Sequence, residues 1–369
     1  MHVPFVSLVE TNREVKKQFL ESVSQLLDSG SFILGPAVQQ FEKQFAEYIG
    51  VKHCIGVSNG LDALTISLRC LNLKQGDEVI VPAHTYIATA LAVIHAGAKP
   101  VFADVDESTF NITATEIGKH ISPKTKAVIP VHLYGQPCDI ESICALADAK
   151  KMFVVEDNAQ AQGAKFKGKK TGSYGYINAT SFYPTKNLGA AGDAGAITTD
   201  NFDLAEAAMQ LRNVGSSKKY VHDSVGYNAR MDEIQALFLK EKLNHLDKWN
   251  AERRRIASLY KETLKNVEQI ALPQDIANAE SVFHLYVIRT HKRDELQKYL
   301  SEKNIQTLIH YPIPNHLQQS LSFLGYAKND FPVTEKLCST ILSLPMYAGI
   351  TDEQVTYVCE MIQDFFKGQ

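Results

Sequence analysis

Residues 53–105 read HCIGVSNGLDALTISLRCLNLKQGDEVIVPAHTYIATALAVIHAGAKPVFADV. Three apolar runs, HCIGVS, VIVPA from Val79 and KPVFADV, are separated by segments of helical character. GLDALTISLRCLNL sets Leu61, Leu64, Leu68 and Leu71 at helical spacing, and a second such pattern runs to Ala96. The alternation continues through a helix near Ile117, the run KAVIPVHLYG, a helix over Glu141–Ala149 and the run MFVVEDNA. Near-continuous apolar runs between amphipathic helices are strands buried on both faces. They predict a mostly parallel sheet with right-handed crossovers. Upstream, after Gly35-Pro36, AVQQFEKQFAEYIG lines Val38, Phe41, Phe45 and Tyr48 along one helix face, with Pro36 in the first turn and Gly50 at the end. Beyond Arg230 the pattern changes. A long charged helix to about Tyr260 is followed by a strand-like SVFHLYVIRT, a helix over 292–303, IQTLIHYP and a terminal helix. The expected class is α/β: a large mostly parallel mixed-sheet domain over 1–240 and a smaller α+β domain over 241–369.

The chain of 369 residues carries 38 Lys+Arg against 41 Asp+Glu, with 45% hydrophobic and 21% charged residues. That balance leaves no electrostatic footprint for nucleic acid or an anionic membrane. No apolar run nears the ~18 residues of a membrane span, and MHVPFVSLVE lacks the form of a signal peptide. Six cysteines without a C-x-x-C pair suggest neither a disulfide framework nor a zinc site, and so a reducing, cytoplasmic setting. No metal is expected. The sequons at Asn111 and Asn178 read as chance.

In an open α/β sheet, ligands bind beyond the carboxyl ends of the strands. Those ends are Ser58-Asn59-Gly60, His84-Thr85-Tyr86, His132-Leu133-Tyr134-Gly135 and Glu156-Asp157-Asn158. At Gly60 the backbone lets a ligand approach, and the free amides of a helix start suit a phosphate; taken alone the segment reads as an ordinary helix cap. Tyr86 suits stacking on a planar ring, and equally a half-buried core position. Asp157, at a strand tip, needs a partner if buried. Glu156 should face the other way. Lys186, in SFYPTKNLGAAGDAGA, stands among aromatic and small residues; desolvation there would make it a nucleophilic amine, whereas a generic lysine is a surface turn residue. The near P-loop GAKFKGKKT (163–171) has Lys170 where Ser or Thr is required, and no G-x-G-x-x-G follows a strand.

The ordered set SNGLDAL, HTY, VVEDNAQAQGA, SFYPTKNLGAAGDAGA, GYNARMDEIQA and HYPIPNH resembles the DegT/DnrJ/EryC1/StrS nucleotide-sugar aminotransferases, from PFVSL to LSLPMY. The resemblance implies the aspartate-aminotransferase fold (PLP fold type I) and pyridoxal 5′-phosphate. It implies that Lys186 forms the internal Schiff base, Asp157 pairs with the pyridinium nitrogen, Gln160 bonds the ring hydroxyl and Tyr86 stacks on the ring. The phosphate would lie on the amides of Gly60 and Leu61, near Asn59 and Ser181, with Asn228 reaching it from the other subunit of a homodimer. Tyr183, His310 and Tyr311 would line the sugar pocket. Lys219, in Ser216-Ser217-Lys218-Lys219-Tyr220, would close over the nucleotide diphosphate, unless that stretch is a solvated loop.

The implied reaction takes an amino group from L-glutamate, leaving 2-oxoglutarate, and gives it to a nucleotide-linked keto sugar. GYNARMDEIQA, with its acidic pair Asp232-Glu233, is more similar to members acting at C3 of a dTDP-3-keto-6-deoxyhexose, which make a dTDP-3-amino-3,6-dideoxyhexose for surface glycans. A C4 aminotransferase and a non-catalytic pyridoxal-phosphate-binding regulator are the alternatives.

Overall fold

The structure, a computed structural model, describes residues 1–368. Two helices open it, α1 (Val9–Ser29) and α2 (Pro36–Ile49). Strand and helix then alternate: β1 (His53–Val57), α3 (Gly60–Cys70), β2 (Glu78–Pro82), α4 (Ala88–His95), β3 (Lys99–Ala103), α5 (Ala114–Lys119), β4 (Thr125–Val128), α6 (Ile140–Lys150) and β5 (Phe153–Asp157). A hairpin of β6 (Lys165–Phe166) and β7 (Lys169–Lys170) precedes β8 (Ile177–Ser181), β9 (Gly195–Thr199) and α7 (Phe202–Arg212). An exposed hairpin, β10 (Ser216–Lys218) and β11 (Val221–His222), leads to α8 (Glu233–Leu243) and α9 (Leu246–Leu264). The remainder is β12 (Ala279–Glu280), β13 (Tyr286–Arg289), α10 (Arg293–Glu302), α11 (Pro332–Thr340), β14 (Ile341–Leu344) and α12 (Asp352–Lys367).

Seven strands form one sheet in the order β1-β9-β8-β5-β4-β2-β3. Only β9 runs against the rest. Successive residues feed different cores, as buried central strands require: Val79 and Val81 pack with α3 and α4, while Ile80 packs with α5 and α6. Because β1, β2, β4, β5 and β8 are mutually parallel, their carboxyl ends share one rim.

A second, smaller core gathers Ile256 and Tyr260 of α9, Ile288 of β13, Leu296 of α10, Leu342 of β14 and Ile362 of α12. β13 and β14 pair antiparallel. The start of the chain joins this core, where Val3 bridges to Ile305.

Three readings of the sequence change. The long charged helix is two helices, broken at Asn244-His245. Of SVFHLYVIRT only Tyr286–Arg289 is strand, because the preceding backbone bonds instead to the 134–135 turn, Val282 N to Gly135 O and Leu285 N to Tyr134 O. α1 has no counterpart in the sequence reading. It buries only Thr11, Val15 and Leu26, too few to leave an apolar stripe. The near P-loop is the β6-β7 hairpin, with Lys170 Nζ donating to Tyr48 O at 2.6 Å.

Glu233, half of the acidic pair associated with the sugar, has an architectural task. Its buried carboxylate accepts the amides of Gly35 (2.8 Å), Ala37 (2.9 Å) and Val38 (3.0 Å), capping α2 from 195 or more residues away. Glu233→Ala orphans three donors at the positive end of a helix. It is expected to destabilise the protein by roughly 2–4 kcal/mol, read as a lower midpoint in chemical denaturation. An unchanged midpoint would refute that role.

Candidate active site

The rim is assembled by register. Val57 and Ser181 both lie opposite Gly195, which sets the Ser58-Asn59-Gly60 turn beside Ser181. The fit is tight: a Cβ on Gly60 would lie 2.6 Å from the Cβ of Ser181. Asn59 caps α3, its Oδ1 accepting Asp62 N at 2.8 Å while its carbonyl accepts Ala63 N at 3.0 Å. Among the described residues the amides of Gly60 and Leu61 find no acceptor in the chain. The Ser181 hydroxyl accepts Tyr183 N at 3.3 Å and keeps its own proton to donate. The helix-cap and phosphate readings of this turn are therefore compatible: the cap takes the third and fourth amides and leaves the first two.

The tip of β5 carries two buried carboxylates on opposite faces. Glu156 accepts the amides of Gly172 (2.9 Å), Tyr174 (2.6 Å) and Gly175 (2.8 Å) and the His132 ring at 2.8 Å. His132 Nδ1 accepts Cys138 N, so Nε2 carries the proton given to Glu156. Burial pushes Glu156 up, but this hydrogen bonding outweighs it and holds the carboxyl below its ordinary value. Asp157 has far less. Its Oδ2 accepts Thr89 Oγ1 at 2.9 Å and its Oδ1 accepts Ala159 N at 3.1 Å. Burial dominates there and raises the carboxyl, against the opposing pull of Lys186 and those two bonds. One carboxylate is satisfied and structural; the other is buried and short of a cation.

Lys186 sits in a turn closed by its own amide on Tyr183 O at 2.8 Å. Gly189 is obligatory, since a Cβ there would lie 2.1 Å from Pro184 O. The turn is pinned by Phe182, whose ring meets Phe41 at 5.4 Å and Phe45 at 5.2 Å edge-on, so the apolar face of α2 holds the loop. Asn187 anchors the other side, donating to Asn250 Oδ1 (2.8 Å) and Val282 O (3.0 Å). Burial lowers the Lys186 ammonium to about 8, with the charge of Asp157 resisting.

The HYP segment closes over this pair. Tyr311 OH accepts Gln160 Nε2 at 3.3 Å, and its ring lies 5.5 Å from that of Tyr86. Gln160 Oε1 accepts Tyr134 N at 2.7 Å, leaving one Nε2 hydrogen for a ligand. Tyr86 remains 56% exposed and available for stacking. His310 is tied through Nδ1 to Ser343 Oγ at 2.8 Å; burial, and then Lys186, lower its ring to about 4, so it is neutral.

Asn59, Gly60, Leu61, Tyr86, Asp157, Gln160, Ser181, Lys186, His310 and Tyr311 thus belong to one rim, with Tyr183 exposed at its edge. Lys219 and Asn228 do not join it within this chain. Lys219 lies on the exposed β10-β11 turn against Tyr220, and Asn228 is exposed beside its bridge to Asn213. Sequence reasoning missed Thr89, one helical turn beyond Tyr86, which holds Asp157. It also missed the role of Tyr134, whose hydroxyl donates to the His310 carbonyl and meets His84 Nε2 at 2.9 Å. The presence of Tyr134 on a strand end was its only signal.

The donor set fits pyridoxal phosphate: an amine of low pKa, a buried carboxylate lacking a cation, an exposed aromatic ring and two free helix amides beside a hydroxyl. Comparison with known proteins agrees. A model of the DegT/DnrJ/EryC1/StrS aminotransferase family matches residues 13–363. A dTDP-3-amino-3,6-dideoxy-alpha-D-galactopyranose transaminase of Aneurinibacillus thermoaerophilus is 46% identical, covering 98% of this chain and 99% of its own. A pleiotropic regulatory protein of Geobacillus stearothermophilus is 44% identical, over 100% and 99% respectively. The crystal structure of S. venezuelae DesV in complex with a ketimine intermediate superposes with a TM-score of 0.97 at 40% identity, covering 99% of each chain.

Proposed function

The chain belongs to the DegT/DnrJ/EryC1/StrS aminotransferase family, and from that premise we propose that it moves an amino group from L-glutamate to C3 of a dTDP-linked 3-keto-6-deoxyhexose. The observation that carries this reading is the pairing of a low-pKa Lys186 with the under-compensated Asp157 at the sheet rim. Pyridoxal phosphate, when bound, supplies an aldehyde that takes up amino groups and a ring that draws electrons from the bond being cleaved. Lys186 would hold it covalently, Asp157 would neutralise its ring nitrogen, and Gly60, Leu61 and Ser181 would bind its phosphate. Gln160 and Tyr86 would fix the ring in plane and face.

The rest is proton management by the chain. The Lys186 Nζ would take the proton from the donor's α-carbon, which its pKa of about 8 suits near neutral pH. In the second half it returns a proton to the sugar at C3. Asp157 would stay ionised beside a protonated ring nitrogen, since that cation would offset the burial that raises its carboxyl. Neutral His310, with Tyr311 and Tyr183, borders the space for the sugar. Two half-reactions sharing one amine require ping-pong kinetics.

A second copy of the chain is proposed to complete the site, bringing Asn228 to the phosphate and Lys219 to the nucleotide diphosphate. The exposed arm that carries them, with Tyr220 and Val225 each 84% exposed, supports this. The six cysteines, all unpaired, fit a reducing, cytoplasmic setting. No helix among the described residues is long and apolar enough to cross a membrane.

The choice of C3 is supported by the transaminase from Aneurinibacillus. Incubating the loaded enzyme with glutamate and either the 3-keto or the 4-keto nucleotide sugar, with the product analysed by NMR, is expected to place the amine on C3. An amine at C4 would overturn the regiochemistry. Cofactor binding without turnover of either sugar would favour an idle regulator, the reading that the Geobacillus relative's name raises and that Lys186 opposes.

A further inference from the structure

Residues 310–315 cross from β14, where Leu308 bridges to Ser343, to the end of β2, and both ends of the crossing are tied down. Asn315 Nδ2 donates to Thr85 O at 3.0 Å, and Asn315 N donates to Ala83 O at 3.4 Å. At the other end the His310 carbonyl accepts the Tyr134 hydroxyl. Tyr134 reaches the crossing a second time through its backbone. Its N donates to Gln160 Oε1, and Gln160 Nε2 donates in turn to Tyr311 OH. The two routes close a ring through Tyr134, Gln160, Tyr311 and His310. Tyr134 itself is buried at φ 59°, a left-handed backbone that glycine adopts without the cost a tyrosine bears. Its ring packs edge-on against Phe110 at 5.3 Å, a contact phenylalanine would make equally well. The hydroxyl is what the apolar cluster does not need, and burying one requires partners.

The direction of these bonds follows from their chemistry. A carbonyl only accepts, so the Tyr134 hydroxyl donates to His310 O and its oxygen accepts from His84 Nε2 at 2.9 Å. His84 therefore carries its proton on Nε2, and its Nδ1 accepts the Cys338 thiol at 3.7 Å. Burial keeps both neutral: it lowers the His84 ring to about 4 and pushes the Cys338 thiol up to about 12. Cys338, His84 and Tyr134 thus form a chain of neutral donors pointing one way, toward the His310 carbonyl. Such a chain holds geometry and carries no charge into the site. We propose that Tyr134, its hydroxyl oriented by His84, is a positioning residue for the sugar half-reaction, fixing the His310-Tyr311 wall against Gln160 and Tyr86. The proposal rests on the aminotransferase reading and deepens it. Lys186, Asp157 and Gln160 keep their places whatever side chain stands at 134, since Gln160 is held there by a backbone amide. Only the wall depends on the hydroxyl.

Tyr134→Phe removes the hydroxyl and keeps the ring, its contact with Phe110 and the backbone bond to Gln160. In the full-length protein without cofactor, amide hydrogen exchange over 308–315 is expected to quicken roughly 5-fold, the scale of one neutral hydrogen bond. In the loaded protein the half-saturating 3-keto nucleotide sugar should rise by roughly 5–10-fold. The half-saturating L-glutamate of the first half-reaction should stay at the wild-type value. A general loss of structure would not produce that split. Equal losses in both half-reactions would overturn the proposal, and so would unchanged sugar saturation in a folded Tyr134→Phe. This variant also leaves the buried His84 Nε2 proton without an acceptor, which lowers stability by itself. Adding His84→Leu removes both polar groups, so the double variant should melt closer to wild type while keeping the sugar defect. Sugar saturation restored together with stability would overturn the positioning role. The double variant puts the same question if Tyr134→Phe fails to fold. A wild-type protein that shows no band near ~410–430 nm with pyridoxal phosphate would sink the aminotransferase reading and this proposal with it. A wild-type band with no split in Tyr134→Phe would sink this proposal alone.

Discussion

Lys186→Ala is expected to abolish transamination, lowering the rate by at least ~10³-fold, because in the proposed reaction one amine would both hold the cofactor and carry the transferred proton. The protein should still fold, since no hydrogen bond of the Lys186 side chain supports the turn; the backbone bonds and Phe182 do. Its absorbance with pyridoxal phosphate should lack the band near ~410–430 nm given by a lysine-bound cofactor. A variant that keeps wild-type turnover would end the assignment.

The pH behaviour follows from the same group. Lys186 is mostly protonated below about 8. Capture of pyridoxal phosphate by the stripped protein should therefore accelerate as pH rises through 8, then level off. The sign for stability is set by linkage. Lys186 and Lys242 are both depressed to about 8 in the folded protein, against ~10.4 for a free lysine. The unfolded chain thus holds more protons between those values. Stability of the cofactor-free protein should rise with pH across that window, and Lys186→Ala should flatten part of the slope.

Asp157→Asn is the second large effect. The amide keeps the shape of the carboxylate, its oxygen placed to accept Ala159 N and its NH2 to donate to the Thr89 hydroxyl, but not the charge that would hold a ring nitrogen protonated. We expect a loss of roughly 10²–10³ in kcat, the scale of removing one preorganised electrostatic partner, with the cofactor still bound. Stability should not fall, because the raised carboxyl shows that burial already disfavours its charge. A kcat within a few-fold of wild type would make Asp157 a structural residue like its neighbour Glu156. The contrast between the two is instructive, since Glu156→Gln would disturb three amides and a histidine and be read in stability first.

The sequence by itself determined the sheet and its rim. Strands buried on both faces must be apolar throughout and crossover helices must be amphipathic, so HCIGVS, VIVPA and MFVVEDNA declare themselves locally. The two-residue period of a strand likewise separates Glu156 from Asp157 before any contact is known. Resemblance then gave Lys186, already singled out by its surroundings, an expected role, and added Gln160 and the HYP segment.

What only the tertiary structure decided depends on partners distant in the chain. α1 is too polar to show a stripe, and the break at Asn244-His245 separates the large-sheet packing of α8 from the small core of α9. Glu233 looked like a substrate signature and is a cap for α2, because a carboxylate among local neighbours carries no sign of amides some 195 residues away. Thr89 and Tyr134 became visible only once the rim put them against Asp157 and His310. Lys242 reads in sequence as one more charge on a charged helix. Its burial beside Arg253 and Lys186 is a product of how α8, α9 and the Lys186 turn pack, and the energy of a buried charge is a property of that packing, not of the residue.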